Sequence, residues 1–282
     1  MHWILILLSC LCFGAVKANP PIAGQWKLVF EDNFEKLNSN IWTPNREFNK
    51  VTLGKSKCFF LKENVEVKSG NLILISKKED LELTNQAGLK QTKKFSSGFI
   101  QSFRKFSFRY GYIEARIKLP RAKGLWPAFW LMPDRSINKN EQNKEKMRST
   151  QILESNEIIS GKGMEIDIME TLSEWKEKKI NTAAHWDGYG ENLKSINQII
   201  KKIPGQDSEG YRRYGLLWEP NLLVWFINDQ EIFRWQNERI ADVPMYMIFS
   251  TNVGGWATNR IQKKKLPDYT FIDYVRVWQR AS

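Results

Sequence analysis

Apolar and polar residues alternate with a period of two along most of this chain. The alternation runs through "WKLVFEDNF" (26–34), "NVEVKSGNLILIS" (64–76), "FSSGFIQS" (95–102), "YGYIEARIKL" (110–119), "YGLLWEPNLLVWFINDQEIFRW" (214–235) and "YTFIDYVRVWQR" (269–280). This period predicts β-strands with one buried face. "KSGN" and "INDQ" predict tight turns between paired strands. No stretch carries a sustained helical period. Many short strands at regular spacing predict an all-β sandwich. Residues 134–163 break the pattern with a long polar run, which reads as an insertion bordering the working face. No linker or repeat interrupts 19–282, which reads as one domain.

One strand poses a problem. "GMEIDIMET" (163–171) sets Glu165, Asp167 and Glu170 in an apolar run. Regular alternation puts Ile166 and Ile168 inward and Glu165 and Asp167 outward, which would send Glu170 into the core. A β-bulge near Met169 inserts one extra residue, resets the phase and returns Glu170 to the outer face. Five residues with one bulge advance about 13 Å, a gap that two glutamates leaning together can largely close. Paired carboxylates suit glycosidic bond cleavage, with one ionised and one protonated. On spacing alone, a solvated edge, a calcium site or a salt-bridged patch remain alternatives.

Composition narrows the chemistry. The 282 residues contain two histidines, His2 and His185. A multi-histidine metal site is therefore excluded, and carboxylates are left to do the work. Residues 4–16 form an apolar run ending near the small-residue site at Ala18. This reads as a signal peptide over 1–18 and predicts export; "LLSC" at Cys10 offers a lipoprotein anchor as the alternative. The run is too short for a transmembrane helix. Its removal takes Cys10 and Cys12 and leaves Cys58 alone, so no internal disulfide can form. The net charge of +12 is spread over scattered lysines and arginines. It predicts no nucleic-acid partner, but it suits weak attraction to anionic polymers.

Aromatic residues cluster near the acids. Trp126, Trp130, Trp186 and Trp256 are candidates for a sugar-binding cleft, where flat rings meet the apolar faces of sugars. Trp26, Trp218, Trp225 and Trp278 read as core.

"GMEIDIME" resembles the E-x-D-x-x-E signature of glycoside hydrolase family 16, in the bulged form of its laminarinase-like branch. "YGYIEARIKLPRAKGLWPAFWLMP" is similar to the segment that precedes it there, and "WKLVFEDNF" and "FIDYVRVWQR" resemble the opening and closing strands. The ordered match covers roughly 26–280. It implies a concanavalin A-like jelly-roll of two curved antiparallel sheets with a concave cleft. It also implies that Glu165 is the nucleophile, Glu170 the acid/base, Asp167 the supporting acid and His185 a neighbour of the nucleophile. No cofactor is implied for catalysis, though a structural calcium at Gly70 and Asp273 is. The segment at 45–65, the long 134–163 loop and "HWDGYGENLKS" (185–195) depart from laminarinase wording. The expected function is a retaining endo-glycosidase, acting as a monomer on a polysaccharide, with β-1,3-glucan as the default substrate. Galactans, including sulfated ones, or host glycans are the alternative substrates, and a non-catalytic carbohydrate-binding protein is the remaining rival.

Overall fold

The computed structural model describes residues 19–44, 56–84, 88, 90–134 and 159–281. The signal-like residues 1–18 with Cys10, residues 45–55 and residues 135–158 of the insertion lie outside them.

In chain order the strands are β1 (Trp26–Asp32), β2 (Thr43–Pro44), β3 (Cys58–Phe60), β4 (Val65–Lys68), β5 (Asn71–Thr84), β6 (Lys90–Ser97), β7 (Phe99–Gln101), β8 (Gly111–Lys118) and β9 (Leu125–Pro133). They continue with β10 (Glu165–Glu170), β11 (Ile180–Trp186), β12 (Lys194–Ile200), β13 (Arg212–Glu219), β14 (Leu222–Ile227), β15 (Gln230–Gln236), β16 (Met245–Val253) and β17 (Asp268–Arg280). Each alternating stretch lies in strand, except that 95–102 is split at Gly98 between the end of β6 and β7. Both anticipated turns are mirror-image hairpin turns with two successive positive φ angles. These are 52° and 68° at Ser69 and Gly70, and 49° and 66° at Asn228 and Asp229. Such turns match the right-handed twist of the strands they join.

Two sheets result. The ten-stranded sheet runs β15-β14-β13-β8-β17-β5-β6-β3, with β1 and β4 joined to β17 and β5. The seven-stranded sheet runs β12-β11-β10-β9-β16-β7-β2, which places β10 near its middle. Pairing is antiparallel except between β3 and β6. The chain crosses between sheets at Gly98, where an added Cβ would lie 2.6 Å from the Asn64 carbonyl and 2.8 Å from Leu74 Cβ. Only glycine permits that approach.

The core lies between the sheets. Ile113, Leu216, Trp218, Trp225 and Val277 on one side meet Phe129, Leu131, Ile166, Ile168 and Phe249 on the other. Burying each large apolar side chain contributes about 1.5–3 kcal/mol, so the two isoleucines of β10 fix which face its acids must take. Trp218 and Trp225 sit in this core as anticipated. Trp278 and half-buried Trp26 belong instead to a smaller cluster around Tyr112 and Phe226. Trp278 is β17's partner to Tyr112, and alternation turns both away from the inter-sheet space.

Candidate active site

The anticipated bulge is present in β10. Pairing with β9 shifts between Asp167 and Met169, and pairing with β11 shifts between Asp167 and Glu170. Ile168 and Met169 both pack into the core, which uses up the extra residue and returns Glu170 to the face of Glu165 and Asp167. From the opposite sheet, Trp225 Nε1 donates to the Asp167 carbonyl oxygen at 3.0 Å. The core thereby holds the backbone at the irregular point.

Register then sets the neighbours. Glu165 lies opposite His185, Asp167 between Ala183 and Trp130, and Glu170 between Asn181 and Ala128. Glu170 is 8% exposed, with Trp126 Nε1 donating to its Oε1 at 2.9 Å and Asn181 Nδ2 to its Oε2 at 3.0 Å. Its carboxyl is pushed well above the usual range, by burial first and then by the negative charges of Asp167 and Glu165, against those two hydrogen bonds. Glu170 therefore holds its proton where an ordinary glutamate loses it.

His185 Nε2 stands 3.3 Å from Asp167 Oδ2. The contact is an ion pair rather than a well-aligned hydrogen bond, because that oxygen has no partner meeting stricter geometry. Burial works against a charged imidazole here, but Asp167 beside it, aided by Glu165 and Glu170, carries its pKa to about 9. Glu165, Asp167 and His185 each bring an atom within 4.8 Å of the others. A cation could use the same atoms, yet the protonated imidazole already balances the acids. Tyr189 donates its hydroxyl to Glu165 Oε2. Glu165 thus accepts a hydrogen bond while the surroundings of Glu170 favour its protonated form, the division of labour that displacement at a sugar carbon needs.

The tryptophans divide in three ways. Trp126 lies beside Glu170 and meets Trp256 edge-on at 5.7 Å; Trp256 is 43% exposed and also meets Trp175 at 5.4 Å. Gly254 and Gly255, with φ of 69° and 75°, turn the chain that carries Trp256. Trp130 is on the expected face but buried at 6%, edge-on to Phe99 and donating to Ser250 Oγ at 3.2 Å. It forms floor, not an open platform. Trp186 is a correction. It follows His185 on a regular strand, so it must face the other way, and it packs against the core, stacked on Trp235 at 5.1 Å.

Trp175, Asn181 and Asn252 were not singled out from sequence. Trp175 follows Glu170 on a 3-10 turn, Ser173–Trp175. Asn252 is the register partner of Trp126 and is buried, with no hydrogen-bond partner for its side-chain oxygen. Counting register across from Glu170 and Trp126 would have found both asparagines once the pairing was known.

The calcium expectation does not fit. Asp273 Oδ2 accepts from Arg116 Nη1 at 2.8 Å, and the same guanidinium binds Asp207 and Glu209. The carboxylate that a cation would need is already matched to a positive charge, so we assign no metal there.

Comparison with known proteins agrees with this geometry. The family model described as the GH16 domain of beta-porphyranases A–D matches residues 26–280. A beta-glucanase of Rhodothermus marinus is 24% identical, over 97% of this chain and 92% of that protein. A keratan-sulfate endo-1,4-beta-galactosidase of Sphingobacterium multivorum is 25% identical, over 66% of this chain but only 40% of that protein. The catalytic domain of an endo-1,3-beta-glucanase from Thermotoga petrophila has a similar fold, with a TM-score of 0.71 and 23% identity, over 92% of this chain and all of that one. With a bulged acidic strand on the outer face of a two-sheet jelly-roll and a family match across nearly the whole described chain, this protein belongs to glycoside hydrolase family 16 and is an endo-β-glycosidase.

Proposed function

We propose that the chain cleaves internal β-linkages of a polysaccharide by double displacement, with Glu165 as nucleophile and Glu170 as acid and base. The observation that carries this reading is the buried, proton-holding Glu170 on the same face as the hydrogen-bonded Glu165. In the first step a Glu165 oxygen bonds to the anomeric carbon as the glycosidic C–O bond breaks. The leaving oxygen takes the Glu170 proton. In the second step Glu170 removes a proton from water, the water oxygen attacks the same carbon, and the Glu165 ester bond breaks. Two inversions retain the anomeric configuration. Asp167 raises the proton affinity of Glu170, and His185 balances the charge of Asp167. The test is proton NMR of the first product. Retained configuration supports the reading, and inverted configuration overturns it.

The substrate we propose as default is a β-glucan, supported by the Rhodothermus relative's name. A second reading, a β-galactan, is favoured by the porphyranase type of the matching family model and by the Sphingobacterium relative. A digestion panel of laminarin, lichenan, agarose, carrageenan and poly-lactosamine separates them. Export is also part of the proposal, resting on the apolar run at 4–16. Mass analysis of protein from the culture medium tests it: a chain beginning at Asn19 supports a cleaved signal, and a lipid-bearing Cys10 supports the anchor.

A further inference from the structure

Away from the acidic row, a cavity of about 380 Å3 is lined by Lys57, Lys93, Lys94, Lys263, Thr92 and Asn259, and no carboxylate is among the described residues that line it. Among the described residues, the lysines that pair with carboxylates are Lys62, Lys90 and Lys194, all elsewhere. Four lysines around one space repel each other, and none of the described residues that line it carries a negative charge. Lys93 is half-buried, with Nζ donating to the carbonyls of Ser56 at 3.0 Å and Cys58 at 2.9 Å. The same ammonium lies over the Phe59 ring, 5.1 Å from its centroid, so Lys93 holds the wall while Lys57, Lys94 and Lys263 supply the remaining charge. The cavity is a cluster of cationic side chains.

Its position ties it to the cleft. Ser56 bridges Gly254, and Lys57 N donates to the Val253 carbonyl at 2.7 Å. Gly255 lies against Trp126, with Trp256 next in sequence. The lysine cavity and the aromatic end of the cleft are therefore two sides of one short loop. The basic groups are also all lysines. An arginine fork matches a planar carboxylate in two-point contact, whereas ammonium groups act as point charges that can surround a tetrahedral oxyanion.

We propose that this cavity is an anion subsite, taking a tetrahedral oxyanion ester, sulfate or phosphate, carried by a sugar chain that continues past Trp126 and Trp256. The inference rests on the reading of the cleft as a polysaccharide-cutting site. It assigns the loop around Gly254 a role in choosing acidic over neutral chains.

The test compares wild type with K57Q/K94Q/K263Q, which leaves the structural Lys93 in place. Substrates are whichever neutral polymer the wild type cleaves, together with its chemically sulfated and phosphorylated forms. The variant is expected to raise KM for an esterified polymer by about 10-fold or more, as loss of charge-assisted contacts implies. Activity on the neutral polymer and the melting temperature should stay unchanged. The ester with the lower wild-type KM identifies the source of the anion. An unchanged ratio of acidic to neutral KM in the variant, or no wild-type preference for either ester, overturns the subsite. If the wild type cleaves no polymer at all, the catalytic reading fails instead. Thermal-shift titration with inorganic sulfate and phosphate then decides the cavity: stabilisation of the wild type but not the variant supports it, and equal response overturns it.

Discussion

Glu170 and Glu114 are buried to nearly the same depth, 8% and 6% exposed, yet they are held in opposite ways. Glu114, on the ten-stranded sheet, accepts from Tyr274 Oη at 2.7 Å and Tyr112 Oη at 3.1 Å, with Arg213 at 3.8 Å. Burial raises its pKa, with a smaller push from Asp229, while Tyr274, Arg213 and Tyr112 pull it back. Glu170 also has two donors, but its charged neighbours are Asp167 and Glu165, and they add to burial instead of opposing it. The difference teaches that burial alone does not make a working acid. Like charges nearby do so. Glu114 is closed in by aromatic rings and serves the fold.

The sharpest way to break this comparison is to neutralise each site in turn. Glu165→Gln and Glu170→Gln should each lower kcat/KM by about 1000-fold or more, since each removes a group that forms or breaks a bond. Glu114→Gln should leave kcat/KM within about twofold by the same assay, because it meets no substrate. If Glu114→Gln were as damaging as Glu170→Gln, the distinction between the two carboxylates would collapse.

Asp167→Asn tests the like-charge argument itself. Removing that charge should lower the Glu170 pKa, so the alkaline limb of the kcat/KM profile should move to lower pH. The rate at the optimum should fall by about 10–100-fold. An unmoved limb would mean that burial alone holds the proton.

Smaller effects fall on stability. Glu114→Gln should cost about 1–3 kcal/mol, because one buried tyrosine hydroxyl loses a charged acceptor; thermal melting measures it. For His185 the folded pKa of about 9 exceeds the ordinary 6.5. Its pair with Asp167 therefore stabilises fully below pH 6.5, and that contribution is lost as pH rises through 9. A melting temperature that falls across pH 6.5–9 in wild type and falls less in His185→Gln would confirm the pair.

Much of this was legible in the sequence because period-two alternation is strict wherever one face is buried. Ile166 and Ile168 against Glu165 and Asp167 dictated the face, and the phase of Glu170 dictated the bulge. The same rule, applied to "HW", would have turned Trp186 inward once His185 faced the acids. Sequence could not show that Trp130 lies on the cleft side yet is buried, since its ring neighbour Phe99 comes from another strand. Nor could it reveal β12 or the outer half of β5, whose residues are mostly exposed and carry little apolar signal. The fate of Asp273 depended on Arg116, 157 positions away. Pairings over such distances are set by topology and leave no local trace.

The central claim is that the bulge gives β10 a nucleophile and an acid on one face, with the nucleophile at Glu165. A 2-deoxy-2-fluoro glycoside with a good leaving group slows the second step and leaves the sugar esterified to the attacking carboxylate. Peptide mapping by mass spectrometry should find that ester on Glu165, with none formed in Glu165→Gln. An ester on Glu170, or no ester together with an inverted product, would contradict the account.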